Sequence, residues 1–243
     1  MISYFRKNIK RHLLCLLFIS ILPGCDDAIT YHEQGCQYMD NDELDKAIFC
    51  FSKAIELGSD YTMAYYNRGL CYSILEQYDY SIKDFSLVID FDSCFRYAYT
   101  FRGCCYVCKN ENEKAFSDLS KAIIINCDDY TAYHFRGVCN HNTGQYHKAF
   151  EDYSKSIQLG SDMALTYNNR GILYMDRGEY SAAVTDFNMA LKLDPSDPLI
   201  YENRGIAYYL RGKMALAKKD WRKAHDLDYD CPTYPEARKL IGL

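Results

Sequence analysis

The stretch Tyr65-Tyr66-Asn67-Arg68-Gly69-Leu70-Cys71-Tyr72 returns 34 residues later as Tyr99-Thr100-Phe101-Arg102-Gly103-Cys104-Cys105-Tyr106. It recurs at the same spacing as Tyr133-His134-Phe135-Arg136-Gly137-Val138-Cys139-Asn140, Tyr167-Asn168-Asn169-Arg170-Gly171-Ile172-Leu173-Tyr174 and Tyr201-Glu202-Asn203-Arg204-Gly205-Ile206-Ala207-Tyr208. Gly35 extends the series upstream. A fixed period of a few tens of residues marks a solenoid, in which each repeat buries a face against its neighbours.

With the shared Gly as position 8, the repeats run 28–61, 62–95, 96–129, 130–163, 164–197 and 198–231. Position 4 is Tyr throughout: Tyr31, Tyr65, Tyr99, Tyr133, Tyr167 and Tyr201. Position 11 is Tyr except for Asn140. Position 20 is small (Ala47, Ser81, Ala115, Ala149, Ala183, Ala217), and so is position 27 apart from Val88. Position 24 is large: Phe51, Phe85, Leu119, Tyr153, Phe187 and Trp221. Positions 4, 8 and 11 share one face of a first helix, and 20, 24 and 27 share one face of a second. Small residues permit close approach and the rings fill the remaining space. No Pro occurs from Cys25 to Asp194, so nothing breaks a helix there.

This pattern resembles the tetratricopeptide repeat family over about 204 of the 243 residues, six repeats of 34. The resemblance implies an all-α, right-handed superhelical solenoid. Pro232 to Leu243 carries a capping box, Thr233-Tyr234-Pro235-Glu236, then Ala237, Leu240 and Ile241 at helical spacing, and reads as a helix capping the sixth repeat.

The N-terminus has a different plan. Arg6, Lys7, Lys10 and Arg11 precede the apolar run Leu13 to Leu22, and Gly24 precedes Cys25. This is the plan of a secretory signal peptide, with an apolar run roughly half the length of a bilayer-spanning helix. Leu22-Pro23-Gly24-Cys25 resembles the lipobox of bacterial lipoproteins, with Pro23 where that family usually has a small residue. The resemblance implies a signal peptide at 1–24, a lipidated Cys25, and residues 25–27 as a short membrane tether on the periplasmic side of a bacterial envelope, inner or outer membrane unresolved.

Net charge is −5 for the whole chain; without the four basic residues of the leader, 24 basic and 33 acidic residues remain, a net of −9. An acidic body does not suit nucleic acid, whose binding rests on phosphate neutralisation. No Gly-rich phosphate loop, GxSxG or HExxH occurs, so neither an enzyme, a cofactor nor a small-molecule substrate is expected. Of the 12 Cys, Cys71, Cys105 and Cys139 all fall on position 10 as small packing residues. Cys104 and Cys108 share a helix face without other ligands at metal spacing, and Cys94 and Cys127 near repeat ends are the more exposed thiols. No metal is assigned. A cysteine-based redox or metal-binding protein is the alternative from a different class.

Position 7 is Arg68, Arg102, Arg136, Arg170 and Arg204; position 23 is Asp84, Asp118, Asp152, Asp186 and Asp220. In the first repeat both change together, to Gln34 and Cys50. With the hairpin turning near position 15 the two lie level, so a ladder of structural ion pairs is expected, within each repeat or with the next.

In the resembled family, positions 2, 5, 9, 12 and 13 of the first helices line a concave groove that holds peptides. Here that implies Met63, Tyr66, Leu70 and Ile74; Tyr97, Cys104, Val107 and Cys108; Thr131, His134, Val138 and His141; and Leu165, Asn168, Ile172 and Met175. The stripe is largely apolar and suits an amphipathic helix or apolar strand. His32 and His134 share position 5, where a satisfied or solvated histidine is favoured over a site. The expected function is a lipid-anchored scaffold or adaptor for a membrane-bound or membrane-adjacent protein partner, with a secretin pilotin or envelope assembly factor as the specific alternative.

Overall fold

Helices of 12 to 16 residues alternate with tight turns along the described chain. The computed structural model describes residues 25–58, 62–227 and 240; the signal-peptide region, and most of the expected capping helix, lie outside them. Among the described residues there are twelve helices and no strand. They are α1 (Cys25–Asp40), α2 (Leu44–Leu57), α3 (Thr62–Ile74), α4 (Tyr78–Phe91), α5 (Arg96–Cys108), α6 (Asn112–Ile125), α7 (Tyr130–Asn142), α8 (Tyr146–Gln158), α9 (Ala164–Asp176), α10 (Tyr180–Leu193), α11 (Pro198–Leu210) and α12 (Met214–His225). Odd-numbered helices are the first helices of the six repeats and even-numbered ones the second. Residues 25–27, expected to be a tether, are already helical as the start of α1.

The chain divides into two compact bodies, residues 1–139 and 140–243. In the N-terminal body each helix from α1 to α6 packs on the next, and the first helix α3 also touches α1 and α5. The C-terminal body repeats this from α8 to α12, with α9 touching α11. First helices therefore form a continuous layer within each body, as a solenoid requires.

The turn between paired helices is set by one residue with positive φ at position 15: Asp42, Glu76, Asn110, Gly144, Gly178 and Gly212. Three of the six are Gly, which meets no Cβ penalty in the left-handed region. At α11 the entry is fixed by Asp197, whose side chain accepts from the Leu199 N–H, with Pro198 in the first turn.

The core follows the repeat grid. Positions 20 and 27 are fully buried in all six repeats, Val88 included, and the position 24 side chains are at most 1% exposed. Position 8 is Gly because helix pairs close onto those side chains. A Cβ on Gly171 would stand 2.7 Å from the Phe187 ring, and one on Gly205 would stand 2.5 Å from Trp221. Position 10 is core as expected, with Cys71 and Cys105 fully buried and Cys139 1% exposed. At the C-terminal end Ala217, Trp221 and Ala224 form a cluster against which Leu240 packs, the one described residue of the expected capping helix.

Gly171→Ala should therefore destabilise by about 1–3 kcal/mol in urea unfolding, the usual cost of overpacking, and adding Phe187→Leu should return part of it. Strict additivity of the two substitutions would contradict the close approach.

Candidate functional site

Two sets of residues in the repeat grid are candidates for function: the charged ladder at positions 7 and 23, and the first-helix stripe.

The ladder is present on all four rungs that lie wholly within one body. Arg68 Nε and Nη2 donate to the two carboxylate oxygens of Asp84, each at 2.8 Å. Arg102 bonds Asp118 at 2.7 and 2.9 Å, Arg170 bonds Asp186 at 2.7 and 2.8 Å, and Arg204 bonds Asp220 twice at 2.7 Å. The pair is thus within a repeat, settling one of the two expected arrangements. The link to the preceding repeat comes from Nη1 instead. It donates from Arg68 to Ser52 (3.0 Å), from Arg102 to Ser86 (2.9 Å), from Arg170 to Ser154 (3.3 Å) and from Arg204 to Asn188 (2.7 Å). Residues flanking on the helix complete the setting, since Arg68 lies 5.5 and 6.0 Å from the ring centroids of Tyr65 and Tyr72, and Arg204 lies 5.6 and 5.9 Å from those of Tyr201 and Tyr208.

Burial opposes the guanidinium charge, but the Asp hydrogen bonds and field hold these four Arg pKa values above the usual range. The fork geometry of Arg explains the residue choice: two N–H groups for the carboxylate, one for the neighbouring repeat. The serines at position 25 were not singled out in the sequence, although Ser52, Ser86, Ser120 and Ser154 recur at 34 residues. In the fourth repeat Arg136 likewise lies over aromatic rings, those of Phe116 and Tyr133, and Asn140, in the place of a Tyr, donates to Asp152 at 2.9 Å.

The first-helix stripe is less open than expected. Tyr66, Leu70, Ile74, Cys104, Val107, Thr131, His134 and Asn168 are all buried. Tyr66 packs against Phe85, Phe95 and Phe101 with ring centroids 5.9, 5.1 and 6.2 Å apart. These eight are packed into the core and do not form a free groove; on α3, the contacts with α1 and α5 close over Tyr66 and Leu70. Met63, Tyr97, Cys108 and Val138 in the N-terminal body, and His141, Leu165, Ile172 and Met175 in the C-terminal one, keep partial exposure.

Position 5 is buried in every repeat: His32, Tyr66, Thr100, His134, Asn168 and Glu202. Neighbouring repeats bond through it, Asn67 Nδ2 approaching His32 Nε2 at 3.0 Å and Asn203 donating to Asn168 at 2.9 Å. Thr100 donates to Asp129 at 2.7 Å. Desolvation lowers the His32 pKa to about 4 and that of His134 to about 3, so both are neutral and His32 Nε2 is an acceptor.

The thiols carry no sign of activation. Cys94 and Cys127 are the exposed ones among the described side chains, and burial raises the Cys50, Cys71 and Cys104 pKa values and takes Cys105 up to about 11. Cys105 Sγ lies 3.3 Å from the Ser73 and Ser81 hydroxyls, both of which donate to the Gly69 carbonyl. Among the described residues no group of three or more His, Cys, Asp or Glu is placed to hold a metal, and no helix is long and apolar enough to cross a membrane.

Family models described as tetratricopeptide repeat match residues 28–60, 64–93 and 130–160, and one described as TPR repeat matches 173–212, together just over half of the chain. The chain belongs to the tetratricopeptide repeat family. No curated protein matches it in sequence. Among solved structures it is similar to a chain of the APC/C hetero-tetramer Cut9-Hcn1, with TM-score 0.77 and 18% identity over 99% of this chain and 45% of that one, so it spans less than half of that relative. It is also similar to PilW, described as a widely conserved type IV pilus biogenesis factor (TM-score 0.72, 14% identity, 88% of this chain and 98% of that one). A third is YrrB, described as a TPR protein with an unusual peptide-binding site (TM-score 0.57, 22% identity, 82% and 97%). At these identities the likeness is one of fold.

Two expectations follow from the buried polar groups. Arg170→Leu should cost about 3 kcal/mol in urea unfolding by stranding Asp186, whereas Arg170→Leu with Asp186→Leu should recover most of it; additive losses would contradict a coupled pair. The second concerns pH. The unfolded histidines take up protons near pH 6.5 while His32 and His134 resist until about 4 and 3, so stability is full above 6.5 and declines as pH falls toward those values, by up to about 1.4 kcal/mol per pH unit for each group. His32→Gln keeps an acceptor for Asn67 and should flatten the fall in melting temperature; an unchanged slope would contradict a neutral buried His32.

Proposed function

We propose that this chain is a membrane-anchored scaffold, not an enzyme, that holds a peptide or helix of a partner protein on its layer of first helices. The observation that carries this reading is that layer itself: within each body, partly exposed apolar side chains such as Met63, Tyr97 and Val138, or Leu165, Ile172 and Met175, stand on a floor of fully packed residues. A rigid, preformed apolar surface suits an amphipathic segment, because little ordering is needed on the protein side. YrrB lends support as a fold relative described by its peptide-binding site.

The anchor rests on the sequence of the first 25 residues. Leu22 to Cys25 supports lipidation of Cys25, with the body on the periplasmic side of a bacterial membrane and the partner membrane-bound or close to a membrane. Cys25 is the first residue of α1, so no long linker separates the lipid from the first repeat. A second reading, an envelope assembly factor such as a secretin pilotin, is favoured by the likeness to PilW, whose 98% coverage matches the whole of a pilus biogenesis factor in length.

Cross-linking in intact bacteria, followed by intact-mass measurement of the membrane fraction, tests the reading. The wild type should carry a diacylglyceryl-modified Cys25 and cross-link one defined partner. Met63→Ser with Tyr97→Ser should lose the partner at unchanged helix content, while Ile124→Ser, an exposed second-helix change, should keep it. A Cys25→Ala chain still held in membranes, or loss of the partner only on Ile124→Ser, would refute the anchor or the surface respectively.

A further inference from the structure

The first repeat keeps the aromatic setting of the ladder but not its charges. Tyr31 and Tyr38 occupy positions 4 and 11, as in every other repeat but the fourth, which has Asn140 at position 11, while Gln34 and Cys50 stand where Arg and Asp would be. Between α1 and α2 there is an open pocket of about 350 Å³ lined by Tyr31, Gln34, Tyr38, Asp45, Lys46, Phe49 and Cys50. The third repeat shows what fills the equivalent space. There Lys114 lies 5.4 Å from the Tyr106 centroid and Arg102 lies 5.8 Å from that of Tyr99. In the first repeat Lys46 lies 5.3 Å from the Tyr38 centroid in the same way, and among the described residues no cation stacks on Tyr31. The missing piece is a guanidinium.

We propose that this pocket receives one arginine side chain of a basic segment of a partner protein, in the aromatic setting that the position 7 arginine occupies in the other repeats. Tyr31 offers its ring face, the Gln34 amide oxygen and the exposed Asp45 carboxylate offer acceptors, and Phe49, 59% exposed, offers an apolar wall for the stem. The two nearby lysines do not repel it strongly, since Lys46 is paired with Glu43 and Lys53 with Glu56. Cys50 stays neutral because burial raises its thiol pKa. Residues 25–243 carry a net charge of −9, which draws a basic segment. Arginine fits better than lysine because its planar, weakly hydrated cation stacks on rings, and it is the side chain that fills the corresponding space in the other repeats. This site lies between the helices of one repeat and does not depend on the first-helix surface proposed above.

The test titrates the full chain with the blocked peptide acetyl-Ala-Arg-Ala-amide and with its citrulline counterpart, which is isosteric and uncharged. Ring signals of Tyr31, assigned by Tyr31→Phe, are followed by NMR. The arginine peptide should bind at least about threefold more tightly than the citrulline peptide. Its affinity should fall on going from about 20 to about 300 mM salt. Gln34→Arg with Cys50→Asp, which supplies the rung from within, should abolish the shift, and Asp45→Asn, an exposed change that leaves the fold intact, should weaken binding about twofold even if the double variant misfolds. Equal binding of the two peptides would make the pocket a merely apolar slot, and an unmoved Tyr31 signal would mean no site; a Tyr31 shift that tracks protein concentration without peptide would assign the pocket to a second copy. Each of these overturns the proposal.

Discussion

The close approach of the two helices in each repeat, made possible by glycine at position 8, is the constraint on which everything else rests. A Cβ there would stand 2.5–3.0 Å from the side chain at position 24 in the repeats where the contact is resolved. That distance brings positions 7 and 23 level and near enough for a bidentate pair, and it sets the space that small residues at 20 and 27 must leave open. Without it the arginine could not reach its own Asp with two nitrogens and the preceding repeat with a third.

The guanidinium is the joint between repeats. Buried ion pairs often add little net stability against an apolar alternative, yet they penalise misregister heavily, since a slipped repeat would bury unpaired charge. A solenoid of near-identical helices has many wrong registers available, and a three-pronged contact recurring every 34 residues discriminates against them. The same logic explains the first repeat, where Gln34 and Cys50 replace both partners together and neither charge is left stranded.

Much of this was legible in the sequence because period, residue size and charge recur together. The helix pairs and the core positions could be assigned from spacing alone, and the Arg–Asp ladder too, save for whether each Asp partner lies within the repeat or in the next. Two features could not. The serines at position 25 recur, but a serine in a helix has no obligatory partner, so only the geometry shows Ser52 accepting from Arg68. Accessibility of the first-helix stripe was overestimated, since Tyr66 and Leu70 lie on the face that family resemblance assigns to a groove, while the contact of α1, α3 and α5 closes over them. Position 5 shows the same effect, for a series of His, Tyr, Thr, Asn and Glu reads as a polar surface and proves to be buried in every repeat.

Native-state hydrogen exchange on the Arg68→Leu chain tests the central claim, that the arginine couples neighbouring repeats as well as the two helices of its own. Arg68 bonds Asp84 in α4 and Ser52 in α2. The account predicts faster exchange in α2 as well as in α3 and α4, with the openings of the first two repeats moving together. Loss of protection confined to α3 and α4, with α2 exchanging as in the wild type, would contradict it.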